Sequence, residues 1–262
     1  MRRPTVLAAA ALTAVALLSA CGSSDSDTAT PGGSSSTGLT GEIAVLAAAS
    51  LTGSFTDLGK KFEAAHPGTK VTFSFGPSSG LATQITSGSP ADVFASASAK
   101  NMDTVVAAKA AGTPTTFARN VMEIAVPPAN PGKITALADL AEPDVKVALC
   151  AAEVPCGVGA HTVFENAKLT VEPVTEEVDV KATLTKVQLG EVDAGIVYVT
   201  DVLAAGDKVK GIEIPADVNA STSYPISTLT ASKNAALAQA YVDFVLSAEG
   251  ARALTAAGFE KP

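Results

Sequence analysis

Ser50 and Ser78 are the side chains of this protein whose type and placement could do chemistry. Each closes a strand-like run and opens a helix-like one, and they lie 28 positions apart. Val45-Leu46-Ala47-Ala48-Ala49 is a short apolar stretch that stops at Ser50, with apolar residues following at 51, 55, 58 and 62. That spacing predicts one face of a helix with Ser50 as its N-cap. Val71 to Phe75 alternates β-branched and aromatic residues like a strand. It runs into Gly76-Pro77-Ser78-Ser79-Gly80, after which Leu81, Ala82 and Ile85 have helical spacing. The first turn of a helix leaves backbone N–H groups unpaired and carries partial positive charge. A serine at that point either caps the helix or, with the free amides, holds an anion. Two such junctions can converge where a parallel sheet switches direction, the usual crevice for ligands.

The second junction admits another chemistry. Gly76-Pro77-Ser78-Ser79-Gly80 fits G-x-S-x-G, the nucleophile elbow of α/β-hydrolases, and Ser78, Asp139 and His161 follow in that family's chain order. Against a hydrolase, the chain has only two histidines. His66, in Ala65-His66-Pro67-Gly68, belongs to a helix end, and His161 falls inside a predicted helix. The hydrolase reading therefore ranks below the anion site, and the chain is read as no enzyme.

Cys150 and Cys156 flank Ala-Ala-Glu-Val-Pro. In an exported protein that spacing permits a local disulfide. The alternative is a metal site, but neither histidine lies at ligand spacing from both cysteines and no C-x-x-C occurs. No cation site is expected.

Export follows from the start of the chain. Arg2-Arg3 precedes an apolar stretch, Val6 to Leu18, too short for a stable membrane span. Residues 1–20 read as a signal peptide. Its end, Leu18-Ser19-Ala20-Cys21, resembles the lipobox of bacterial lipoproteins, which implies cleavage before Cys21 and acylation of its thiol. Residues 21–40 are almost wholly Gly, Ser, Thr, Asp and Pro and read as a flexible tether. Of the 262 residues, 47% are hydrophobic and 17% charged, ample for a core. Loss of the two leader arginines moves the net charge from −8 to −10. Such a surface argues against nucleic acid, whose phosphates demand Lys and Arg. It does not forbid a small anion, because surface charge is screened beyond about 10 Å.

The rest of the chain supplies the elements that must position these groups. A third strand is predicted at 91–96 and a helix from Ser98, ended by Gly112. A polar passage at 113–120 reads as a first crossing to another lobe, and a strand follows at 121–126. Strands at 145–149, 195–199 and 209–214 alternate with helices at 137–140, 157–167 and 178–189. Tyr224 to Thr230 reads as the return crossing, before closing helices at 233–246 and 248–257. This alternation indicates an α/β fold with mostly parallel sheets. One lobe comprises 41–120 and 226–262, the other 121–225, with a ligand cleft between them and the two crossings as a hinge. Tyr198 ends a buried-looking strand and by periodicity reads as core.

Several stretches occur in a telling order: Ala47-Ala48-Ala49-Ser50-Leu51, Phe75 to Ile85, Pro90 to Phe94, Val154-Pro155-Cys156-Gly157, Gly195 to Tyr198 and Tyr224-Pro225. Together, over about residues 42–260, they resemble the molybdate-binding proteins that serve ABC importers. The resemblance implies a two-lobed type II periplasmic-binding-protein fold closing on a tetrahedral oxyanion. It implies a monomeric, lipid-anchored, extracytoplasmic protein that hands molybdate or tungstate to a permease and needs no cofactor. Ligand groups carried over by motif are the Ser50 and Ser78 hydroxyls and amides, the Cys156 and Val180 amides and the Tyr198 hydroxyl. Two departures stand out. Pro77 has no N–H where the family often has another serine, and Cys156 replaces a usual small residue. All these groups are donors, which suits a fully deprotonated dianion and leaves sulfate, or another small anion, as the alternative on the same scaffold. Rejection of sulfate by cavity size is implied by the resemblance alone.

Overall fold

In the computed structural model, which describes residues Gly38–Pro262, three parallel strands deliver both serines to one place. β1 (Gly41–Ala48) pairs in parallel with β2 (Thr69–Gly76) and with β3 (Val93–Ala95). The register sets Ala48 beside Gly76, so the chain leaves both strands at the same edge of the sheet. The strands read as apolar because helices cover both faces, as parallel sheets require. α1 (Thr52–Ala65) buries Phe55, Leu58 and Phe62, the face read from the sequence. α2 (Ser78–Thr86) buries Leu81, Ala82 and Ile85, and α3 (Ala99–Ala107) starts from Ser98, whose hydroxyl accepts from Asn101 N–H. The signal peptide expected over 1–20, Cys21, and residues 21–37 of the tether expected over 21–40 lie outside the described residues.

Residues 113–120 are not an irregular passage. They enter β4 (Thr115–Val126), which runs on without a break. Its first half pairs antiparallel with β9 (Ser221–Thr228), which in turn pairs with β3. Its second half pairs antiparallel with β7 (Ala194–Tyr198) and β8 (Lys210–Glu213). Thr115, Thr116 and Phe117 favour a strand while Asn120 does not, and the β9 ladder holds the whole segment extended. β7 then continues in parallel to β5 (Val147–Cys150) and β6 (Thr175–Glu177). The strand order is β2-β1-β3-β9-β4-β7-β5-β6, with β8 beside β4. Pairing is thus parallel on each wing and antiparallel along the two crossing strands. The result is the α/β architecture expected, except that the sheet is mixed and not mostly parallel, because the crossing strands pair antiparallel.

Core residues fall on either side of that crossing. Phe55, Phe62, Tyr224 and Tyr241 form an aromatic cluster with Ile43 and Val45, under α1, α7 (Ala235–Leu246) and α8 (Ala248–Ala256). The other wing packs Ile124, Val147, Val163, Val187 and Ile196 beneath α4 (Pro155–Ala167) and α5 (Val180–Gln188). Residues 38–262 form one compact body. No helix among the described residues is long and apolar enough to cross a membrane.

Candidate functional site

Both serines are hydrogen-bonded to the protein around them. Ser50 is not the cap of α1; it sits in a tight turn, Ala49–Leu51, and α1 starts at Thr52 with no side-chain cap. Its Oγ is instead 2.9 Å from Tyr224 Oη, a bond across 174 residues of sequence. Ser78 is the first residue of α2, after Pro77, and its Oγ accepts the Ala97 N–H at 2.9 Å. That bond leaves the Ser78 proton free to point elsewhere. Both serines are buried yet border one cavity.

Three helices of eight or more residues begin at that cavity. In α2 the first intrahelical donor is Leu81 N–H, to Pro77 O at 3.0 Å, so the amides of Ser78 and Ser79 precede the ladder. α4 opens with Pro155, whose missing N–H costs nothing there. Its ladder starts at Val158 N–H, to Val154 O at 3.0 Å, which leaves the Cys156 amide open. In α5 the Asp179 carboxylate accepts from Lys181 N–H and Ala182 N–H, both at 2.9 Å. The first amide, that of Val180, is left over. Asp179 also lines the cavity, but its carboxylate is committed to capping.

The Cys156 amide is held by chemistry of its own chain segment. Cys150 and Cys156 are joined as a disulfide with Cα atoms 5.7 Å apart, which folds residues 151–155 back over the end of β5. Gly157 completes the fit: a Cβ there would collide with the Ala151 carbonyl. The cysteines are therefore not ligands of a metal, and no group of three metal-ligating side chains occurs among the described residues.

Tyr198 ends β7 and precedes α6 (Val199–Ala205). Its side chain is 1% exposed, and its Oη has no hydrogen-bond partner among the described residues. Burial, with Tyr224 and the Asp201 carboxylate nearby, pushes the phenol well above its usual range, so it keeps its proton. A buried donor without an acceptor is costly, and this one borders the cavity. Behind it, Asp201 is wholly buried, accepts the Tyr198 N–H at 3.2 Å and pairs with Lys181 Nζ at 2.7 Å. Burial raises the Asp201 carboxyl and the Lys181 ammonium opposes that rise.

The structure thus brings Ser50, Ser78, Cys156, Val180 and Tyr198 together around one cavity. About 20 Å³ is open to the centre of a water-sized sphere, room for a single compact group. Its lining residues offer the hydroxyls of Ser50, Ser78 and Tyr198 and the helix-start amides of Ser78, Cys156 and Val180. Lys181 does not neutralise the cavity, because Asp201 holds it. Ala97, Asp179, Asp201 and Tyr224 were missed by sequence reasoning. Of these, Tyr224 carries the one signal available, a polar tip on an apolar strand.

The proposed hydrolase set does not assemble. Asp139 Oδ2 is taken by Thr135 N–H at 2.7 Å, Thr135 Oγ1 at 2.9 Å and Ala136 N–H at 3.0 Å. His161 lies within α4 and lines a separate hollow with Phe164 and Glu165. Ser78 has neither as a partner among the described residues.

Residues 43–260 match the family model described as bacterial extracellular solute-binding protein. The chain belongs to that family. Among curated relatives of this solute-binding protein, the molybdate-binding protein ModA of Mycobacterium tuberculosis (strain ATCC 25618 / H37Rv) is 42% identical over 249 residues, covering 95% of this chain and 94% of that one. The ModA of Escherichia coli (strain K12) is 32% identical, covering 84% and 89%. A putative ABC transporter substrate-binding lipoprotein, YvgL of Bacillus subtilis (strain 168), is 30% identical over 95% of both chains. Among solved structures, the Azotobacter vinelandii periplasmic molybdate-binding protein superposes with a TM-score of 0.75 at 21% identity, covering 84% of this chain and 99% of that one. The Mycobacterium tuberculosis sulfate-binding protein SubI also reaches 0.75, at 17% identity over 84% and 86%. At those identities the two structures speak to the fold alone, which this chain shares with such binding proteins.

Proposed function

We propose that this protein captures molybdate, and with it tungstate, outside the cytoplasmic membrane and delivers it to the permease of an ABC importer, without catalysing a reaction. The observation that carries this reading is the single small cavity on which two serine hydroxyls, a tyrosine hydroxyl and three helix beginnings meet. Aligned amides hold an anion without a buried countercharge. A site built of donors favours a dianion with no proton of its own. Hydrogen phosphate would bring an O–H with no acceptor, at a cost of about 1–3 kcal/mol. Relatives named as molybdate-binding at up to 42% identity support the choice of molybdate. Sulfate meets the same donor test, and the fold-level likeness to a sulfate-binding protein makes it the second reading.

In this reading the lobes are 41–120 with 226–262, and 121–225, and Cys21 carries a lipid anchor that keeps the monomer near its permease. The lipoprotein in Bacillus subtilis noted above is consistent with that anchor.

Titration calorimetry of the purified protein with molybdate, tungstate, sulfate and phosphate tests the proposal. Tight one-to-one binding of the first two, with sulfate and phosphate far weaker, is the expected outcome. Ser50→Ala and Ser78→Ala should each weaken molybdate by about 1.5–3 kcal/mol, the range for a hydrogen bond to a charged group. Equal binding of sulfate would overturn the ligand, and unchanged affinity in both variants would overturn the site.

A further inference from the structure

Tyr224 lies outside the five groups proposed to touch the anion. It sits on β9 opposite Ala118 of β4, fully buried, with ring centroids 6.2 Å from Tyr198 and 5.2 Å from Phe259. Its Oη is 2.9 Å from Ser50 Oγ, and either oxygen could supply the proton of that bond. The surroundings decide which does. A phenol this deeply buried is pushed well above its usual range and keeps its proton. A buried O–H needs an acceptor, and Ser50 Oγ is the one at bonding distance among the described residues. Ser50, by contrast, borders the cavity and has a second direction for its own proton. Tyr224 therefore donates and Ser50 accepts, which turns the Ser50 proton toward the cavity.

We propose that Tyr224 is a specificity-determining positioning residue: its hydroxyl locks Ser50 as a donor, so that oxyanions still carrying a proton find no acceptor there. The proposal rests on the molybdate reading of the cavity. Ser78 is locked in the same sense by the Ala97 N–H, a backbone group that substitution cannot remove. The Tyr224 lock can be removed by Tyr224→Phe, which keeps the ring. Ser50 is then free to rotate, direct its proton back and offer a lone pair to the O–H that inorganic phosphate retains at neutral pH.

The test is calorimetric titration of the wild-type protein, Tyr224→Phe, Ser50→Ala and the double variant with molybdate and with inorganic phosphate. In Tyr224→Phe the phosphate-to-molybdate affinity ratio should rise about tenfold or more, the lower part of what one unpaired buried donor costs. In the double variant the ratio should equal that of Ser50→Ala alone. A uniform loss for both anions would make Tyr224 merely structural and overturn the proposal, as would a rise that persists without the Ser50 hydroxyl. Failure of the wild type to bind molybdate would instead defeat the functional reading. Proton NMR of the protein without anion tests the lock even then, or if Tyr224→Phe does not fold. A slowly exchanging Tyr224 hydroxyl proton should be present and should shift in Ser50→Ala; its insensitivity to that change would overturn the proposal.

Discussion

A hydroxyl that is buried and unpaired separates affinity from stability. Tyr198 Oη has no partner among the described residues, and Tyr198 lines the cavity. Tyr198→Phe should therefore leave the anion-free protein as stable or up to about 1 kcal/mol more stable, because an unsatisfied donor is removed. The same change should weaken molybdate about tenfold. Thermal unfolding and titration of one preparation check both halves, and a loss of stability would show that the hydroxyl has a structural partner. At this scale the sequence was partly legible. Ser50 and Ser78 stood out because a serine at a strand-to-helix junction has few roles. The amides of Cys156 and Val180 leave no mark in side-chain chemistry and came from resemblance. Tyr224 and Ala97 escaped because their bonds to the serines span 174 and 19 residues, distances that only the folded sheet closes.

Between elements, the pairing of Lys181 on α5 with Asp201 on α6 fixes the second wing behind the cavity. Asp201 is wholly buried while Lys181 is about one-third exposed, so the ammonium serves chiefly to keep a buried carboxylate tolerable. Lys181→Met should cost about 2 kcal/mol at neutral pH, below the range for fully buried pairs. Burial raises the Asp201 carboxyl in the folded state, so its protonated form favours folding and that contribution fades as pH rises through the folded value. Without Lys181 the folded value rises further. The deficit of the variant should accordingly shrink as the solution is acidified, because a neutral carboxyl needs no counterion. Denaturant midpoints of both proteins across a pH series check this; a deficit independent of pH would assign the loss to packing. Element prediction worked where periodicity was long, as in α1, α5 and α7. It missed β6, whose Thr-Glu-Glu is too short and polar to read as a strand, and α6, which follows β7 with no intervening loop. Residues 115–120 read as a polar crossing because Pro114 and Arg119-Asn120 mask the strand-forming Thr115-Thr116-Phe117, whose partner β9 lies some 100 positions later.

The whole molecule is a sheet whose two parallel wings are joined by β4 and β9, and the cavity takes Ser50 and Ser78 from one wing and Cys156, Val180 and Tyr198 from the other. An anion held by both wings links their unfolding. At free molybdate about 100-fold above its dissociation constant, stability should rise by about 2.7 kcal/mol in one cooperative transition. Calorimetric scans with and without molybdate check it, and two separate transitions, of which only one responds, would refute the bridging site. The wings themselves could be read in the sequence from alternating strands and helices. Their joining could not, since strand order depends on pairings between distant segments.

The three helix beginnings that meet at the cavity have a consequence for economy of transport. Each presents the positive end of its dipole to the same point. With an anion between them these ends attract a common target; with none, they repel one another. On the proposed function, the two wings of a protein lacking its anion have less reason to stay this close together. A permease that answers to the loaded shape would be spared futile rounds of ATP hydrolysis, and the safeguard would come from backbone amides alone, with no residue dedicated to it.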